Sequence, residues 1–296
     1  METLRRAVHF VPGANDKMLG KSVDLPADAL VLDLEDSVTP DNKASARKTV
    51  TEWLQKVDFK GRERMVRMNP LETPWGVADL EATMAGRPDS YMVPKVRTFA
   101  DVEKIDSILG GLEKQYGYPE RSVKLLLLAT ETPQGLLNIK DLGLHPRVDS
   151  MSWGAEDLSA AIGARRNRDE RGEFLEVFRY ARIMTLLAAT AASVQPIDTV
   201  FVNIKDPDGC RRDCVEGAWM GFTGKITIHP SQIEIANDVF APTPHEIENA
   251  RKMSEAYQAA TRDGAGAAGA GGMLVDAVAV RIFEGVLERA RLTGRA

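Results

Sequence analysis

The chain has 296 residues, of which 44% are apolar and 27% charged, with a formal net charge of −5. That length suits one large or two small domains with a sizeable core, and the acidic balance leaves no large positive field for nucleic acid or a membrane surface. No run approaches the ~18 apolar residues of a membrane span. The opening METLRRAVHF has no apolar leader segment, so a cytoplasmic protein is expected.

Eight segments read as strands: AVHFV (7–11), ALVLDL (29–34), RMVRMN (64–69), YMVPKV (91–96), KLLLLAT (124–130), DSMSWG (149–154), TVFVNI (199–204) and KITIH (225–229). Helical stretches lie between them. In 39–57, Thr39 and Pro40 start a helix whose Ala46, Val50, Trp53, Leu54 and Val57 recur at helical spacing. In 98–116, Val102, Ile105, Ile108, Leu109 and Leu112 share one face. The alanine-rich stretch 171–194 predicts a well-buried helix. Strands alternating with helices imply parallel βαβ units. No G-x-G-x-x-G follows the first strand, and eight units in some 230 residues match an α/β fold of the (β/α)8, or TIM, barrel type. Cys210 and Cys214 fall on one helix face and are expected to be free thiols.

The barrel is expected to span 1–240. After it, Thr243, Pro244 and Glu246 form a capping box. The helix they open runs into DGAGAAGAGG (263–272), which reads as a flexible loop, before a last helical segment. Residues 241–296 are thus expected to be a C-terminal helical extension.

Barrel chemistry sits at the C-terminal ends of the strands. Polar residues gather at those ends: Asp33, Glu35 and Asp36 after the second strand, Arg67 and Asn69 after the third, and Lys95 on the fourth. Glu131 follows the fifth, Glu156 and Asp157 the sixth, Asn203, Lys205 and Asp206 the seventh, and His229 the eighth. The N-terminal ends show nothing comparable. Glu131 and Asp157, on adjacent strands, form a hard oxygen pair suited to Mg²⁺ or Mn²⁺; the alternative is a salt-bridge network with Arg67 and Lys95. Arg67 can grip a carboxylate with two parallel hydrogen bonds, or pair with the acids near Asp33. Asp33, Glu35 and Asp36 read as outer supports that order water around the ion or hold Lys95, with helix capping an alternative for Asp36. His9 reads as a packed strand residue and His229 as part of the site floor.

Seven segments, RRAVHFVPGAND, ALVLDLEDSVTPDNKASAR, VRMNPLETPWG, VPKV, ETPQG, WGAEDLSAAIGARR and GKITIHPSQI, together resemble the citrate lyase beta-subunit-like branch of the HpcH/HpaI aldolase superfamily. The likeness covers essentially the whole chain. It implies a barrel binding Mg²⁺ through Glu131 and Asp157, with Arg67 on substrate oxygen and Asn69, Lys95, Gly154 and Ala155 beside it. It implies a carbon–carbon lyase acting on 3-hydroxyacyl-CoA thioesters such as malyl-CoA or citramalyl-CoA, releasing a 2-oxo acid. The alternatives are a malyl-CoA-type thioesterase and, further off, a subunit that binds an acyl carrier in a citrate lyase-like complex. GGMLVD resembles the family's C-terminal segment, so Asp276 is expected to act in a neighbouring subunit of a homo-oligomer, a trimer or hexamer. Arg5, Arg6, Lys17 and Lys21 are candidates for the CoA phosphates, or ordinary surface charge.

Overall fold

Apolar strands alternating with amphipathic helices bury both faces of a parallel sheet. The computed structural model describes residues 3–296. Among these residues, eight parallel strands close into a barrel. They are β1 (Ala7–Pro12), β2 (Ala29–Asp33), β3 (Glu63–Arg67), β4 (Ser90–Val93), β5 (Lys124–Leu128), β6 (Val148–Ser152), β7 (Gln195–Asp198) and β8 (Gly224–Thr227). β1 pairs with β2 through Val8↔Ala29 and with β8 through Ala7↔Lys225, which closes the ring. The intervening helices are α1 (Asp16–Ser22), α2 (Lys43–Lys56), α3 (Gly76–Thr83), α4 (Phe99–Tyr116) and α5 (Pro133–Leu142). Two, α6 (Ala155–Ile162) and α7 (Glu176–Ala191), separate β6 from β7, and α8 (Pro207–Met220) and α9 (Ser231–Val239) complete the series.

Alternate strand residues point inward. Val8, Val31, Met65, Met92, Leu126, Leu128, Ile197 and Ile226 form the buried barrel core. Below them, Arg5 donates to Glu63 at 2.6 Å, Asp149 at 2.8 Å and Gln195 at 3.1 Å. Glu63 and Gln195 are the first residues of β3 and β7, so this network lies at the N-terminal end. The expectation of polar groups at one end alone is therefore corrected: the lower end carries a buried ionic plug.

Most strands stop one to three residues before the sequence suggested; of the residues past their ends, Trp153, Gly154, Ile228 and His229 line the upper cavity. The seventh is misplaced outright. TVFVNI (199–204) leaves the sheet, and the ladder to β8 runs Ile197↔Gly224 and Asp198↔Lys225. Asp198 is buried by ion pairs with Arg182 at 2.8 Å and Lys225 at 3.5 Å. A strand written QPID, with a proline and a paired acid, carries no period-2 apolar signal. Asn203, Lys205 and Asp206 consequently end no strand, and Asp206 caps α8 by accepting from the Gly209 N–H at 2.8 Å.

The helix α4 begins with a capping box between Thr98 and Asp101 and buries Val102, Ile105, Leu109 and Leu112. α7 corrects the expectation of a well-buried helix, since only one of its faces is covered. Phe178, Ala181, Thr185 and Ala188 face the barrel, whereas Tyr180, Ile183 and Leu187 on its other side are 53%, 44% and 57% exposed. Cys210 and Cys214 are free and buried on α8.

The chain divides into two compact units, Arg5–Asn237 and one that contains Asp238–Ala296. The second is built on α10 (Pro244–Arg262), β9 (Ala267–Ala270), β10 (Met273–Asp276) and α11 (Ala277–Leu292). Thr243 and Glu246 form the expected capping box at the start of α10. The stretch read as a flexible loop is in large part β9 and its turn, a correction with a clear cause. Gly271 and Gly272 hold φ of +56° and +77°, the left-handed pair that a two-residue hairpin turn needs, and Ala270 pairs with Met273 across it. Met253, Val275 and Val280 form the core of this unit. No described helix is long and apolar enough to cross a membrane.

Candidate active site

A cavity of about 600 Å³ opens where the strands end, walled by residues that include Phe10, Asp33, Arg67, Glu131, Trp153 and Asp157. Its construction starts with β5. After Leu128 the chain turns sharply, because Thr132 caps α5 by accepting from the Gly135 N–H at 3.0 Å and Pro133 fills the first helical position. That turn leaves Glu131 at the mouth with 4% of its surface exposed. Gly154 makes room for it, since a Cβ there would lie 2.5 Å from Glu131 Cγ. Gly154 also precedes the first turn of α6, which carries Asp157, a favourable place for a negative charge. Glu131, Gly154, Ala155 and Asp157 all line the cavity.

Burial pushes the Glu131 carboxyl well above its usual range, and the charges of Asp157 and Glu35 push it further in that direction. Burial is the larger cause and the neighbouring carboxylates the lesser, with Lys95 and Arg67 offsetting only part of the rise. A hard divalent cation would relieve it, and the oxygen-only donor pair is the kind Mg²⁺ accepts while keeping positions for water and substrate. The residues present therefore fit such an ion.

Arg67, the last residue of β3, donates from Nε and Nη2 to the two oxygens of Asp33, at 2.6 and 2.8 Å. Its Nη1 lies 2.9 Å from Glu35 Oε2, and its guanidinium stacks 4.4 Å from the Phe10 ring centre. Burial alone would push Asp33 up, but the charge and hydrogen bonds of Arg67 hold it below the usual carboxylate value. Glu35 goes the other way: burial raises it despite Arg67 and Lys95. Asp33 and Glu35 face the same cation. β2 ends at Asp33, and the Asp33 carboxylate accepts the Glu35 N–H at 2.9 Å, folding the chain back. Asp36 is the outlying member, 3.8 Å from Arg67 with a 63% exposed side chain, and it caps no helix.

Lys95 lies past the end of β4 in left-handed backbone, φ +53°. Its N–H donates to Glu131 Oε2 at 2.7 Å. Its ammonium bonds Glu35 Oε1 and lies 3.2 Å from Asp157 Oδ1. Burial works against this charge, yet the acids around it hold the lysine pKa above normal.

Other expected site residues fall elsewhere. Asn69 is buried away from the cavity, its amide given to Asp79 at 2.7 Å and the Leu34 carbonyl at 2.9 Å; it braces the segment after β2. Arg5 and Arg6 are corrected as CoA contacts. They precede β1 at the far end of the barrel, Arg5 in the ionic plug and Arg6 paired with Asp28 at 2.8 Å. Lys21 on α1 lines the cavity, whereas Lys17, on the same helix, is exposed and does not. Asp276 belongs to the second unit, where it caps α11 by accepting from the Val278 and Ala279 N–H groups at 2.9 Å. Those bonds, that from Ala279 foremost, lower its pKa.

Sequence reasoning missed much of the apolar wall. Trp153 lines the cavity and donates to Asp198 at 2.8 Å, a partner hidden by the misplaced seventh strand. Thr199 and Val200 join the wall for the same reason. His9 and His229 also line it. His9 Nδ1 is 3.0 Å from Thr227 Oγ1, and burial with the nearby His229 lowers its pKa to about 4.

Residues 6–230 match the profile of the HpcH/HpaI aldolase/citrate lyase family. A (3S)-malyl-CoA thioesterase of Cereibacter sphaeroides is 38% identical over 271 residues, 92% of this chain and 89% of that protein. Citrate lyase subunit beta of Escherichia coli is 37% identical over 291 residues, 98% of this chain and 94% of that protein. A structure of CitE from Mycobacterium tuberculosis in complex with magnesium, acetoacetate and coenzyme A matches with a TM-score of 0.79 at 28% identity, covering 98% of each chain. Fold, site and relatives agree: the chain belongs to the HpcH/HpaI aldolase/citrate lyase family of enzymes.

Proposed function

We propose that the chain is a Mg²⁺-dependent carbon–carbon lyase that cleaves or forms a 3-hydroxyacyl-CoA thioester, of the malyl-CoA or citramalyl-CoA kind. The observation that carries this reading is that two carboxylates, Glu131 and Asp157, and a fixed cation, Arg67, line the same cavity. The CitE complex with magnesium, an oxo acid and coenzyme A supports the ligand class. Glu131 and Asp157 would hold the ion, which would supply Lewis acidity toward the substrate hydroxyl and its neighbouring carboxylate.

Arg67 serves the other fragment. When the carbon–carbon bond breaks, its electrons move into the thioester, whose oxygen becomes an enolate. Asp33 and Glu35 engage part of the guanidinium, which fixes its plane and leaves N–H groups on Nη1 and Nη2 for that oxygen. Donors fixed before the charge develops lose little to reorganisation. Lys21 offers a positive charge at the cavity edge for CoA. Asp276, provided by a second copy in a homo-oligomer, exchanges the proton at the acyl carbon. Its lowered pKa keeps it ionised, which suits removal of that proton in the condensation direction.

The C. sphaeroides relatives favour a second reading, hydrolysis of the thioester, in which Asp276 activates water. One assay separates the two. Malyl-CoA with Mg²⁺ is expected to give glyoxylate and acetyl-CoA; malate and free CoA instead would establish hydrolysis, and no turnover of either kind would reject both.

A further inference from the structure

We propose that Lys95 is a positioning residue that stands in for the divalent cation, neutralising Asp157 while the carboxylate pair is empty and releasing it when the ion binds. This rests on the reading of Glu131 and Asp157 as magnesium ligands. The backbone supplies the first reason. At φ +53° Lys95 occupies a region that residues with a Cβ rarely adopt, and such strain persists where the surroundings fix it for a purpose. Here the conformation aims the Lys95 N–H at Glu131 Oε2, 2.7 Å away, and sends the same residue's ammonium toward Asp157, 3.2 Å away. One residue thereby touches both proposed ligands.

The second reason is the contrast with Arg67. That guanidinium is locked on both oxygens of Asp33 and on Glu35. The Lys95 side chain is 30% exposed, and its ammonium is a compact charge on a flexible stem. Its bond to Glu35 Oε1 gives it a partner to keep once Asp157 turns to the ion. Lys95 and the ion thus compete for one carboxylate.

Calorimetric titration with Mg²⁺ alone, without thioester, tests this. Lys95→Met is expected to bind Mg²⁺ about tenfold more tightly than wild type, the scale on which a neighbouring charge shifts a carboxylate equilibrium. Its metal-free form should melt lower, so the rise in melting temperature on adding Mg²⁺ should grow. Lys95→Arg, which keeps the charge, should restore near wild-type affinity. Equal or weaker binding by Lys95→Met overturns the role while leaving the metal reading intact. Wild-type protein that binds no Mg²⁺ overturns the metal reading and this role together. If Lys95→Met does not fold, amine acylation of wild type followed by mass spectrometry decides. Lys95 is expected to react several-fold faster with saturating Mg²⁺ than without it; an unchanged or slower rate overturns the role.

Discussion

At the scale of single residues, a hydrogen atom at position 154 governs how Glu131 meets the cavity. A methyl group there would collide with Glu131 Cγ and push the carboxylate off its line to Asp157. Gly154→Ala is expected to lower turnover on the order of 10²-fold, the effect of an ångström-scale misplacement, with an unchanged circular dichroism spectrum; near-normal turnover would contradict the assignment of Glu131. His9 makes a different prediction. With its folded pKa near 4 and an unfolded value of about 6.5, the unfolded chain binds the extra proton between those limits. Stability from neutral His9 is therefore complete above about pH 6.5 and is lost as pH falls toward 4, by up to about 3 kcal/mol. Denaturant titrations across that range should show the slope in wild type and a shallower one in His9→Gln.

At the scale of elements, legibility followed apolar periodicity. β1, β2, β5 and β8 carry largely buried runs and are readable within a residue or two. So is α4, whose Thr98–Asp101 box marks its start. β7 is not, because its burial is achieved by ion pairs on Asp198 rather than by an apolar face. The same rule explains the site. Glu131, Asp157 and Arg67 could be placed by counting from strand ends, whereas Asn69 was misassigned because its partner Asp79 lies on α3, a tertiary contact no local pattern encodes. Strand β9 and its turn read as a flexible loop because alanine and glycine favour no strand; only the turn geometry gives them away. Gly272, at φ +77°, should resist replacement. Gly272→Val is expected to destabilise the hairpin by about 1–2 kcal/mol, seen as faster proteolytic cutting between residues 263 and 276, and an unchanged cutting rate would mean the turn is not what orders this segment.

At the scale of the whole molecule, the barrel unit separates stability from chemistry along its axis. Arg5, 2% exposed, binds residues from three strands at the lower end, and removing it would strand the Glu63 carboxylate, whose side chain is 7% exposed, without its cation and leave the part-exposed Asp149 unpaired with it. Arg5→Met is expected to cost about 3–5 kcal/mol, read as a drop in melting temperature on the order of 10 °C, with turnover per folded molecule preserved. A large loss of turnover at full stability would instead draw Arg5 into the chemistry. The plug has one more effect. Because Arg5 and Glu63 fill the base of the barrel, the cavity that Arg67 and Glu131 line opens at the opposite end. Under the proposed cleavage, both fragments would therefore leave by the same mouth through which the thioester entered.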